Sequence, residues 1–128
     1  MSIEEHVHTR LTGYAGLSTL VGSKVYAQEI PQDTTEPACA YQVISKNYTP
    51  AMGANADVKR IRLQVTGFAV DYKSMKALEL QIINALDRYS GTENSVTVDA
   101  AFFDGATDFF DSDFGIHQTN VDFIIHYR

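Results

Sequence analysis

From residue 58 to residue 68 the chain reads VKRIRLQVTGF, which sets Ile61, Leu63 and Val65 against Arg60, Arg62, Gln64 and Thr66 in strict alternation. Successive side chains of a strand point to opposite faces, so this pattern describes a sheet with one face on a core and one in water. Such a sheet needs an apolar layer over its buried side.

Two helical patterns supply that layer. Ser2 followed by Glu5 forms a capping box, and Ile3, Val7, Leu11 and Tyr14 then recur at spacings of four, four and three. These four share one face, while Glu4, Glu5, His8 and Arg10 point elsewhere. Gly13 and Gly16 are expected to end this helix, and Leu17, Leu20 and Val21 to add one further turn, stopped at Gly22. The second helix is expected to start at the cap Asp71 and to bury Met75, Leu78, Ile82, Leu86 and Tyr89, with Gly91 closing it.

Further strands are expected over residues 24–30, 38–48, 96–103 and 115–127, the last with Val121, Phe123, Ile125 and Tyr127 on one face. Residues 31–37 read as a polar turn, residues 47–57 as a long hairpin loop and residues 104–113 as an acidic link. Strands and helices do not alternate in the manner of a doubly wound parallel sheet. The expected fold is α+β: an antiparallel or mixed sheet, two helices packed on one face and one long hairpin loop. With 128 residues, 45% of them hydrophobic, residues 1–128 are expected to form a single domain. A chain of this size needs no disulfide or metal to fold. The lone cysteine, Cys39, lies in an apolar run and reads as a small buried side chain.

Sixteen acidic against ten basic residues give a net charge of −6, which opposes wrapping by a phosphate backbone. No stretch approaches the roughly 20 apolar residues of a membrane span. Glu4 and Glu5 stand where a secretory signal would be basic and then apolar, so synthesis in a cytoplasm is expected.

Motifs for catalysis are lacking: no Gly-x-Ser-x-Gly, phosphate loop, dinucleotide fingerprint or paired cysteines occur. The protein is expected not to be an enzyme and to hold no cofactor. His6 and His8 are two apart, which on a helix turns their rings away from a shared metal, and His117 and His126 lie far along the chain. All four read as surface histidines, and no metal site is expected. An EF-hand starting at Asp111 fails because Ile116 holds the position that requires glycine. Asp113-Phe114-Gly115 matches a kinase tripeptide in a chain about half as long as a kinase requires. The acidic segment otherwise reads as a solvated loop with Phe109, Phe110 and Phe114 packed beneath it. A small ligand- or divalent-ion-binding module around these aspartates is the rival reading from another functional class.

The order of the elements resembles the tail-completion, or tail-terminator, proteins of long-tailed phages and prophages. The resemblance rests on Leu20, Val21, Gly22, Lys24, Val25 and Tyr26, then Pro31 and Gln32, then Pro37 and Tyr41, and on a closing strand with Asp122, Phe123, Ile125 and Tyr127. It implies a homo-oligomeric ring, usually a hexamer, that terminates the tail tube and joins it to the head connector or head-closure protein. Its place would be the virion neck, with DNA passing through without sequence-specific binding and no role for a membrane. A head-closure or connector role is the nearest alternative. In such an acidic oligomer, Tyr48 and Met52 of the long loop and the basic Lys59, Arg60 and Arg62 are expected at a subunit or partner interface. The densest supply of opposing carboxylates is Asp104, Asp108, Asp111 and Asp113.

Overall fold

The computed structural model describes residues 3–22, 24–28, 37–49, 58–93, 95–113 and 115–128, with side chains 47–49 and 58 left aside. Its elements are α1 (Ile3–Gly13), α2 (Ala15–Val21), β1 (Val25–Ala27), β2 (Ala38–Thr49), β3 (Val58–Ala69), α3 (Tyr72–Leu86), β4 (Gly91–Glu93), β5 (Val96–Asp111) and β6 (Ile116–Tyr127). The six strands make one sheet in the order β1-β2-β3-β6-β5-β4. β1 runs parallel to β2 and every other pair is antiparallel, so the sheet is mixed and the fold is α+β.

The alternation in β3 does what its sequence dictates. Ile61, Leu63 and Val65 are fully buried, and they meet Val121, Phe123 and Ile125 of β6 in one core with Val7, Leu11, Leu17, Leu78, Ile82 and Leu86. Each such side chain contributes about 1.5 to 3 kcal/mol by leaving water. Gly67 lets α3 sit close: a Cβ there would lie 2.7 Å from Leu78 Cδ2 and 3.2 Å from Thr119 Cγ2. Asp71 caps α3 as expected, its carboxylate accepting the Ser74 backbone N–H at 2.7 Å.

Four expectations need correction. The extra turn after Gly13 is a separate helix, because extended Tyr14 breaks the path and Gly16 lies inside α2. Helix α3 ends at Leu86, since Arg88 takes a left-handed φ of 61° and gives its N–H to the Ala101 carbonyl; Gly91 then opens β4 instead of closing the helix. Residues 104–111 are not a link but the second half of β5, paired with β6 to Asp111↔Ile116. Phe109 and Phe110 lie about half exposed on that strand, not packed beneath a loop. The capping residue Ser2, residues 29–36, most of the expected hairpin loop and Phe114 lie outside the described residues.

A fifth correction concerns His6, which is 1% exposed. It lies between the buried turns of Ile3 and Val7 and works as a clamp. Its Nδ1–H donates to the Val96 carbonyl at 3.0 Å, and its Nε2 accepts the Tyr89 hydroxyl at 2.9 Å. Both contacts suit the neutral ring, and burial holds its pKa below the ordinary 6.5. The folded state therefore resists protonation. Stability from this clamp is complete above pH 6.5 and is lost as pH falls from there through the lowered folded pKa. The melting temperature is expected to fall across that window in the native chain, and His6→Gln is expected to flatten the fall. An identical slope in both proteins would refute the assignment.

Candidate functional site

Helices cover one face of the sheet, and among the described residues no element packs on the other. The open face carries rows of polar side chains that pair across strands. Gln64 donates to Asp122 at 3.3 Å, and Asn120 accepts from Thr66 at 2.9 Å and from Gln118 at 3.2 Å. Arg62 donates to Asp104 at 2.7 Å and lies 3.7 Å from Asp122. Cross-strand pairs of this kind fix register more than they add stability.

β5 carries the exposed phenylalanines Phe102, Phe103, Phe109 and Phe110. The triplet Phe-Phe-Asp occurs at residues 102–104 and again at 109–111, seven positions apart. An odd spacing along a regular strand would put the two copies on opposite faces. The register shift between Phe103 and Gly105 inserts one residue and restores the phase. Phe102 and Phe109 thus share the open face opposite Ile124 and Gln118, and Phe103 and Phe110 face the helix side opposite Phe123 and His117. Phe102, Phe109 and Phe110 are about half exposed, and Phe110 packs on His117 at 4.6 Å between centroids.

Of the predicted site residues, Arg62 and Asp104 pair with each other mid-sheet, and the other described ones lie at opposite ends of it. Lys59 and Arg60 are exposed near the β2–β3 turn, with Lys59 over the Tyr127 ring at 5.8 Å. Lys46 joins them on the paired strand and forms an ion pair with Glu4 at 2.8 Å, which raises its pKa. Tyr48 pairs through its backbone with Lys59; its side chain, and Met52 entirely, lie outside the described residues. Asp108, Asp111 and Asp113 occupy the other end, at the β5–β6 turn. Asp108 lies 2.7 Å from Lys76, and the Asp111 carboxylate accepts the Asp113 backbone N–H at 3.0 Å.

Some pairings were not legible in the sequence. Arg62 and Asp104, expected on facing surfaces, are partners within one chain. Lys76, which bridges Asp108 and Glu79 and whose pKa those hydrogen bonds raise, carried no sequence signal beyond its place on a helix. The repeated Phe-Phe-Asp triplet was the signal for the exposed aromatics. The aspartates diverge instead of converging: Asp104 and Asp108 engage different cations, and no cluster of three His, Cys, Asp or Glu side chains among the described residues could hold a metal. Cys39 is fully buried, and burial pushes its thiol up to about 12.

This is an α+β sheet protein with Lys46, Lys59 and Arg60 at one end of its strands and Asp108, Asp111 and Asp113 at the other. The profile of the family described as tail completion protein gp17 matches residues 5–128, and the chain belongs to that family. It is thus a structural protein of phage virions. No curated protein matches it. Among solved structures, a chain from the virion of the native gene transfer agent (GTA) particle shares the fold, with a TM-score of 0.73 and 15% identity over 94% of this chain and 90% of that one. SPP1 Dit (gp 19.1), described as a paradigm of the hub adsorption apparatus in phages infecting Gram-positive hosts, aligns at a TM-score of only 0.29 and 15% identity, over 73% and 41% of the two chains.

Proposed function

We propose that the protein forms a ring, six subunits in the reading implied by its family resemblance, that ends the tail tube and joins it to the head connector or head-closure protein. The carrying observation is the family match across residues 5–128. The separated charges add support, because a plus end and a minus end on one chain suit head-to-tail contact between identical subunits. A net charge of −6 suits a channel through which DNA slides without being held. In this reading the protein works by binding alone, assembles in the host cytoplasm and remains in the virion.

Removing the gene from the phage is the direct test. Filled heads and separate tails, or tails of uncontrolled length, are the expected products in electron micrographs, with joining restored when the protein is supplied from a plasmid. Normal infectious particles from the deletion would overturn the proposal.

A further inference from the structure

The sheet has two long strands whose outer edges are only partly paired. β1 covers β2 at residues 39–41, and β4 covers β5 at residues 96–98. Beyond those short strands, the outer edges of residues 42–49 of β2 and 104–111 of β5 pair with no strand among the described residues. An unpaired edge is a template for another strand. Beside the β2 edge runs a groove of about 450 Å³, lined by Glu4, Ala27, Gln28 and the stretch from Tyr41 to Lys46.

We infer that the β5 edge of one copy pairs with the β2 edge of the next, so that the ring is closed by one continuous sheet. The inference rests on the ring reading above and names the contact that closes it. Strand polarity favours this occupant. β2, β3, β6 and β5 alternate in direction, so β5 meets the next copy's β2 antiparallel, and the alternation continues around a ring without a break.

The offset also fits. Gln42, Gln64, Asp122 and Gly105 lie in one row, which puts the two free edges at opposite halves of the sheet. Bringing them together shifts each copy by about six residues, roughly 20 Å along the strands at about 3.3 Å per residue. Four strands span roughly 19 Å, so the shift tilts them by about 45° to the ring axis, close to the tilt that closed sheets require. Charge agrees with geometry. The shift brings Asp104 and Asp108 of one copy near Lys46 on the next copy's β2 and Arg60 one strand further in, whereas pairing two β5 edges would oppose like charges.

Ser45→Cys and Thr107→Cys, made singly and together in the full chain, test this. Both native side chains are exposed, and the buried Cys39 stays unreactive. Under mild oxidation the double variant is expected to form a covalent ladder ending in one closed species. Neither single variant should crosslink, and a mixture of the two should stop at dimers. Crosslinking of Thr107→Cys alone would overturn the inference in favour of β5 pairing with itself. A double variant that assembles to ring mass without crosslinking would overturn the edge contact and leave the ring standing. Absence of both ring mass and crosslinks, in solution and in assembled particles, would overturn both readings.

Discussion

Replacing Phe123 with alanine is expected to lower the unfolding free energy by about 3 to 5 kcal/mol, the cost of truncating a fully buried aromatic ring. The side chain sits on the central pair of strands, between Leu63 on β3 and Phe103 on β5, whose ring meets it edge-on at 6.2 Å. Strands flank it on both sides and the helices lie above, so little can collapse into the space left behind. A domain of ordinary stability, about 5 to 15 kcal/mol, would lose about a fifth of it or more. Urea unfolding should show the loss as a lower midpoint with an unchanged slope. A shift under about 1 kcal/mol would mean that the core does not have the packing described.

Arg60→Glu is expected to have the largest effect on assembly while leaving the fold intact. Arg60 is exposed and has no ion pair among the described residues, so reversing its charge breaks no salt bridge seen there. The same change at Arg62 is a different experiment. It sets a third carboxylate beside Asp104 and Asp122 and should cost on the order of 1 kcal/mol in the isolated chain, as partly exposed charge contacts do. Mass in solution and melting temperature, read together, separate the two. Arg60→Glu should lose ring mass at an unchanged melting temperature, and added salt should partly restore assembly because the Debye length is already about 10 Å at 0.1 M. Full ring mass for this variant at low salt would exclude the basic end from the interface.

Much of the fold was readable because side-chain periodicity reports burial. The alternation in β3, the spacing of Met75, Leu78 and Ile82 in α3, and the Asp71 cap all depend on neighbours within a few residues. The failures have a common cause. His6 is buried because Val96 and Tyr89 offer it polar partners, and both are more than 80 positions away. The second half of β5 looks like a link in the sequence because its aspartates and its broken phase mask the strand, and only pairing with β6 shows where the extra residue enters. The candidate site divides the same way. Its basic residues stood out as neighbours on one strand, whereas the division of its aspartates between Arg62 and Lys76 depends on which strands lie side by side.

The contacts of α1 also bear on how the chain is made. Arg10 donates to the Ala85 carbonyl, His6 to that of Val96, and Lys46 reaches back to Glu4, so this helix is fastened by residues 42 to 90 positions further along. During synthesis at about 5 to 20 residues per second, α1 emerges several seconds before its full set of fasteners exists. Its apolar stripe of Ile3, Val7 and Leu11 has to stay out of trouble for that interval. Glu4, Glu5 and Arg10 put charge on the same short helix, and its full set of contacts is complete only when the strand bearing Val96 has been translated.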